Sequence, residues 1–164
     1  MEQYLEHNKR IRAELLNSVN TLSDEQLNRK VEEDSWTVMQ ILHHLYLMEG
    51  SIAKTIQSTL EKGEKQTVDS KPIELTVNRS KKVEAPSFVE PSLEFITLEE
   101  IKEKLKQSRN ALLQVVSSSN SEELKKKAFP HPVFGLVSLE QWVPFIGYHE
   151  KRHLEQMEEL KAKL

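Results

Sequence analysis

Histidine is the residue type in this sequence best equipped for chemistry, and its six copies are unevenly placed. His149 and His153 lie four apart in a run of helical periodicity, so both rings leave one face on successive turns, a spacing used by paired metal ligands. With about 100° per residue and the apolar stripe centred on Ile146, His149 falls about 60° to one side and His153 about 20°. An unpaired polar ring facing a bundle interior costs free energy, and a metal ion supplies each ring with a partner. A second helical run offers the adjacent pair His43 and His44. Centred on Leu45, His44 sits about 100° from the stripe and can turn inward, whereas His43, about 160° away, points nearly opposite. His44, His149 and His153 would then make a three-ligand divalent metal site with open positions, the pattern of a catalytic rather than a structural metal. His7 reads as an exposed helix residue. His131 reads as a loop residue that could stand at the mouth of the site.

Residues 149–153 also spell His-Glu-Lys-Arg-His, a literal match to the H-E-x-x-H metalloprotease signature. The longer form of that signature needs glycine and histidine where Gln156 and Glu159 stand, and no sheet edge is foreseen to align a peptide. The protease reading is therefore set aside. Glu150, about 40° from the stripe centre, remains a candidate base near the metal or a hydrogen-bond acceptor behind a ligand.

Four amphipathic segments must position these residues, and capping-box spacing opens the second, third and fourth. The first carries Leu5, Ile11, Leu15, Val19 and Leu22, and Ser23 with Gln26 opens a short helical turn after it. The second starts at Thr37 with Gln40, carries Val38, Ile41, Leu42, Leu45, Ile52, Ile56 and Leu60, and ends near Gly63. The third starts at Thr97 with Glu100, carries Ile101, Leu105, Leu112 and Val115, and frays into Ser117–Asn120. The fourth starts at Ser138 with Gln141, and Pro144 inside it is expected to kink the helix or delay its start.

Between the second and third segments lie about 33 residues, Glu64 to Ile96, long for a compact domain. A bundle uses such a connection when the next helix must begin at the far end, which leaves its two flanking helices parallel. Glu74–Val77 has the composition of a brief strand but no evident partner, and the stretch is read as a crossover packed along the bundle. Ala128–Gly135, with two prolines and a glycine around His131, is expected to be a stiff loop. The fold class is thus all-α, a four-helix bundle with up-down-down-up topology forming a single domain over residues 1–164.

Composition narrows the partners. The formal net charge is -3, with charged residues at 30% and no basic excess, which argues against nucleic acid. Lys125–Lys127 is read as a solvated surface run. The chain has no cysteine, which excludes disulfides, thiolate metal sites and cysteine nucleophiles. No stretch approaches the roughly 20 apolar residues a membrane helix needs, and no basic region followed by an apolar run stands near Met1. A cytoplasmic protein acting on a small molecule is expected.

Two blocks carry a resemblance to a known family: Trp36–Leu45, and Phe134–Trp142 running on to Tyr148–Gln156. In these blocks the chain resembles the DinB-like family, close to the branch that includes bacillithiol transferases. The resemblance implies a four-helix bundle with a long crossover between its second and third helices. It also implies metal ligands at His44, the histidine immediately before Leu45, and at His149 and His153. Zinc or nickel as the metal, homodimers, and a low-molecular-weight thiol S-transferase activity are further implications. Three neutral imidazoles leave the metal's charge intact, so either a thiol or a water could be activated, with Glu150 or His131 as base or supporting partner. The alternatives are a metal-dependent hydrolase and a non-enzymatic bundle whose metal is a staple.

Overall fold

A computed structural model describes residues 1–164. Helix α1 (Glu2–Val19) is followed by a single capped turn, α2 (Asp24–Leu27), and then by α3 (Val38–Lys62). Helix α4 (Leu98–Ser117) leads to the short α5 (Ser121–Lys126), strands β1 (Ala128–His131) and β2 (Gly135–Ser138), and α6 (Leu139–Lys161). Ser23, Thr37 and Thr97 each form complete capping boxes with the residue three places on, satisfying amides that a helix start leaves unpaired. Ser138 accepts from the Gln141 amide, but the Gln141 side chain turns away to the Lys71 backbone instead of closing the box. No helix is long and apolar enough to cross a membrane.

The side-chain pairings between helices give their directions. Glu49 of α3 meets Ser108 and Arg109 of α4, and Tyr46 lies under Lys104, so the two helices run in parallel. Asn8, Arg12 and Ser18 of α1 meet Val143, Glu150 and Glu158 of α6, so this pair is parallel too. The result is the up-down-down-up bundle expected from the long connection. That connection follows α6 along its length. The Gln141 amide bonds Lys71, Arg152 donates to the carbonyls of Thr76, Asn78 and Lys81, and Arg79 pairs with Glu159. It then turns onto the start of α3, where Val89 is buried and the Ser92 amide donates to His43 Nδ1 at 3.1 Å.

Glu74–Val77, read as crossover for want of a strand partner, lies in a 3₁₀ turn, Ile73–Val77, anchored by buried Ile73 after Pro72. Without a neighbouring strand, its backbone groups bond locally instead. The expected loop at Ala128–Gly135 is largely a hairpin: Ala128 to His131 pair antiparallel with Ser138 to Gly135, and Gly135 supplies a φ of +70°. Pro130 is tolerated because a two-stranded ribbon is all edge. Trp142 fastens the ribbon to α6 by donating to the Phe129 carbonyl at 3.3 Å. Lys127 is not a solvated residue; its ammonium donates to the Leu60 carbonyl at the end of α3 and pairs with Glu123 at 3.1 Å. His7 is not exposed either: its Nε2 is buried, and its ring packs on Tyr148 at 4.7 Å.

Pro144 leaves α6 continuous, and next to it Asn8 of α1 bonds two backbone groups of α6. Asn8 Nδ2 donates to the Val143 carbonyl at 2.7 Å, and the Gly147 amide donates to Asn8 Oδ1 at 3.1 Å. In a regular helix those two backbone groups would pair with each other. A Cβ at position 147 would stand 2.5 Å from Asn8 Oδ1 and 2.6 Å from His7 Cδ2. Helix propensity alone favours alanine over glycine by about 1 kcal/mol. Gly147→Ala is nevertheless expected to destabilise the protein by about 1–3 kcal/mol, as overpacking does. Urea unfolding reads the sign, and a more stable variant would overturn the account.

Two apolar clusters fill the bundle. One joins Leu15, Val19, Leu42, Leu45, Ile101, Leu105 and Met157; the other joins Ile52, Ile56, Leu112, Trp142, Val143 and Ile146. Between them the interior turns polar, and this is the level of the candidate site.

Candidate metal centre

His44 projects from α3, His149 and His153 from α6, and their ligating atoms lie within 4.8 Å of one another. His44 is buried beneath Trp36, whose ring centre is 5.0 Å away, while His149 and His153 are partly buried. His149 Nε2 lies 3.4 Å from His44 Nε2 and 3.2 Å from His153 Nε2. A tetrahedral ion about 2.0–2.1 Å from each nitrogen needs nitrogen–nitrogen edges of about 3.3–3.4 Å. The spacing fits.

The partners of the outward nitrogens decide which lone pairs converge. His44 Nδ1 donates to the Val89 carbonyl at 2.8 Å, which leaves Nε2 as the free lone pair. His153 Nδ1 donates to Gln156 Oε1 at 2.8 Å, again leaving Nε2. His149 Nε2 faces both, and a proton on it could serve only one of them. A cation reconciles all three. Carbonyl and amide partners of this kind fix ring orientation and raise ligand basicity.

Electrostatics keep the rings neutral, as ligation requires. Burial holds His149 well below the usual histidine range, with His153 and His44 adding to it. Burial and then His44 push His153 down to about 3. Burial lowers His44, against the Val89 bond, which works to raise it.

Glu150 and His131 are not members of this group. Glu150 Oε1 accepts from Arg12 Nε at 3.1 Å, from Arg12 Nη2 and from Arg109 Nη2 at 3.0 Å. The same two guanidiniums hold Glu49, Arg12 at 2.9 Å and Arg109 at 2.5 Å, and Ser108 donates to it at 2.5 Å. Burial works to raise Glu49, but the guanidiniums outweigh it and the carboxyl stays below its ordinary value. At Glu150 burial wins and the pKa rises, in keeping with an Oε2 that is buried and has no hydrogen-bond partner. His131 sits on the hairpin among Phe134, Trp142 and Phe145, with ring centres 4.8, 5.3 and 4.9 Å away. Phe145 in turn stacks on His149 at 5.8 Å.

Sequence reasoning did not identify Arg12, Glu49, Ser108 and Arg109, nor the ring partners Val89 and Gln156. A signal was present for the first set. Arg12 falls between Asn8 and Leu15, Glu49 between Leu45 and Ile52, and Ser108 between Leu105 and Leu112, all at core spacing.

A family model described as the DinB superfamily matches residues 7–157. The chain belongs to the DinB superfamily. YuaE, a Bacillus subtilis (strain 168) protein described as uncharacterised, is 35% identical over 153 residues, covering 93% of this chain and 94% of YuaE. Two solved structures share the DinB superfamily chain's fold. TT2238, described as a four-helix bundle protein, superposes with a TM-score of 0.66 at 21% identity, over 96% of this chain and 98% of its own. YfiT from Bacillus subtilis gives 0.67 at 16% identity, over 98% of this chain and 85% of its own. It is described as a probable metal-dependent hydrolase with an unusual four-helix bundle topology.

Within this DinB superfamily chain, Gln156 is the ring partner most open to test. Gln156→Leu leaves all three imidazoles in place but frees the His153 ring to rotate and change tautomer. Metal affinity should fall about 10–100-fold. Competition against a chromophoric chelator measures it, and an unchanged affinity would show that Gln156 does not orient the ring.

Proposed function

We propose that this chain is a metal-dependent enzyme in which His44, His149 and His153 hold a divalent ion, zinc or nickel, and that it transfers a low-molecular-weight thiol of the bacillithiol type to a small electrophile. The observation that carries the reading is the convergence of three neutral Nε2 atoms in a group with no fourth histidine, aspartate or glutamate. Three protein ligands and an open position are the arrangement of catalytic rather than structural sites. A bound divalent ion supplies the positive charge that lowers the pKa of a thiol or of water. The transfer joins the thiol sulfur to the electrophilic carbon as that carbon loses its leaving group, and the thiol proton passes to solvent.

The chain's own residues supply the rest. Val89 and Gln156 orient the rings, Trp36 covers His44, and Phe145 backs His149. Glu150 acts from behind through its helix, its engaged oxygen being occupied by Arg12 and Arg109. A second reading, hydrolysis by an activated water, is favoured by the description of YfiT, whose fold this chain shares.

Untagged protein loaded with zinc or nickel tests both readings. Metal-dependent loss of thiol in the presence of alkyl halides or epoxides supports the transferase. Ester or amide hydrolysis without added thiol supports the hydrolase. If neither occurs across a broad panel, the enzyme reading fails and a metal staple stands in its place. A cytoplasmic homodimer built from one domain over residues 1–164 belongs to the same proposal, and sedimentation equilibrium tests its mass.

A further inference from the structure

His131 was a candidate base on sequence grounds, and its hydrogen bonds oppose that role. Nδ1 accepts from the backbone amides of Val133 at 3.0 Å and Phe134 at 3.3 Å. Two donors on one nitrogen require it to carry the lone pair, so the ring proton sits on Nε2. Nε2 has no partner within the chain and is not among the buried unpartnered atoms. It is an N–H donor that the chain leaves unpaired and does not fully bury.

The ring is also fixed in place. Phe134, Trp142 and Phe145 pack around it, and β1 pairs His131 with Gly135. Burial pushes His131 down to about 4, so a neutral ring persists at neutral pH. Trp142, Phe145, His149 and His153 follow one another along α6 at spacings of three, four and four residues. His131 rests on the first two, which places it about one and a half turns above His149, on the order of 8 Å along the helix. A metal ligand with a polar group a few bonds from its ligating atom spans that distance.

We propose that His131 is the substrate-orienting hydrogen-bond donor of this site, its Nε2–H meeting a carbonyl or carboxylate oxygen on a small molecule whose other end lies at His44, His149 and His153. The ligand class follows: a metal-seeking head, such as a thiol, with an oxygen acceptor a few bonds away. This rests on the metal-dependent reading above and adds a recognition role that the metal ligands do not provide.

Protein loaded with cobalt(II) tests it, with N-acetyl-L-cysteine as the probe and ethanethiol, which lacks an oxygen acceptor, as the reference. His131→Asn is the variant: its side-chain oxygen can take over the Val133 and Phe134 amides as an Asx turn, but its amide does not reach the Nε2 position. Wild type should prefer N-acetyl-L-cysteine, and His131→Asn should lose about 3–10-fold of that preference, the worth of one hydrogen bond, with cobalt affinity unchanged. Nitrogen-15 NMR of the metal-free wild type should show the proton on Nε2 of His131. An equal preference in both proteins, or a proton on Nδ1, overturns the assignment while leaving the metal reading intact. Failure of the wild type to take up cobalt sinks the metal reading, and this inference with it.

Discussion

Arg12→Ala is expected to cost about 3–5 kcal/mol of folding stability, the range for breaking a buried ion pair from one side. Arg12, Arg109, Glu49 and Glu150 form a ring of two cations and two anions between the two apolar clusters, and the Arg12 and Glu150 side chains are 9% and 1% exposed. Removing Arg12 strips Glu150 of two of its three donors and Glu49 of one, leaving one guanidinium for two buried carboxyls. The Leu105 carbonyl, which accepts from Arg12 at 2.9 Å, loses that partner as well. Urea unfolding should show the midpoint falling at constant slope, and a loss below about 1 kcal/mol would contradict the account. Replacing all four residues with apolar side chains of similar volume is a different experiment. It removes the desolvation cost together with the attraction, and should be far less damaging than the single change.

His149→Ala is expected to lower metal affinity by more than about 100-fold, beyond what loss of an orienting partner causes. His149 is the nitrogen the other two share, 3.4 Å from His44 Nε2 and 3.2 Å from His153 Nε2. Metal analysis of untagged protein with a chelator competition measures the change. The metal-free variant should fold at least as well as the metal-free wild type, because three lone pairs no longer crowd one point. Chelating the wild type should change its melting temperature only modestly if the site is catalytic, and strongly if the ion is a staple. Retention of metal by His149→Ala would remove the ligand assignment.

How much of this was legible beforehand can be judged residue by residue. Three capping boxes and four apolar stripes placed the long helices, since both signals are local and depend only on a 3.6-residue period. The same period separated His44 from His43. The length of the Glu64–Ile96 segment was enough to orient the flanking helices in parallel, because a short loop could not have returned the chain to the far end. The hairpin at Ala128–Ser138 was missed because two prolines and a glycine look like a loop until Trp142 and Phe145 are in place beneath them.

The three histidines, alone among the candidate site residues, were already assigned a common role by sequence. Their residue type and the four-residue spacing of His149 and His153 point to a metal, and helix geometry lets all three turn inward. Their partners were a matter of tertiary structure. Val89 reaches His44 across 45 positions, Arg12 reaches Glu150 across 138, and Asn8 reaches Gly147 across 139. Glu150 shows the difference most plainly. Read along the helix it lies between two inward-facing histidines and looks like a base; in the fold its oxygen belongs to Arg12 and Arg109, because burial leaves a carboxylate no cheaper partner than a guanidinium from another helix.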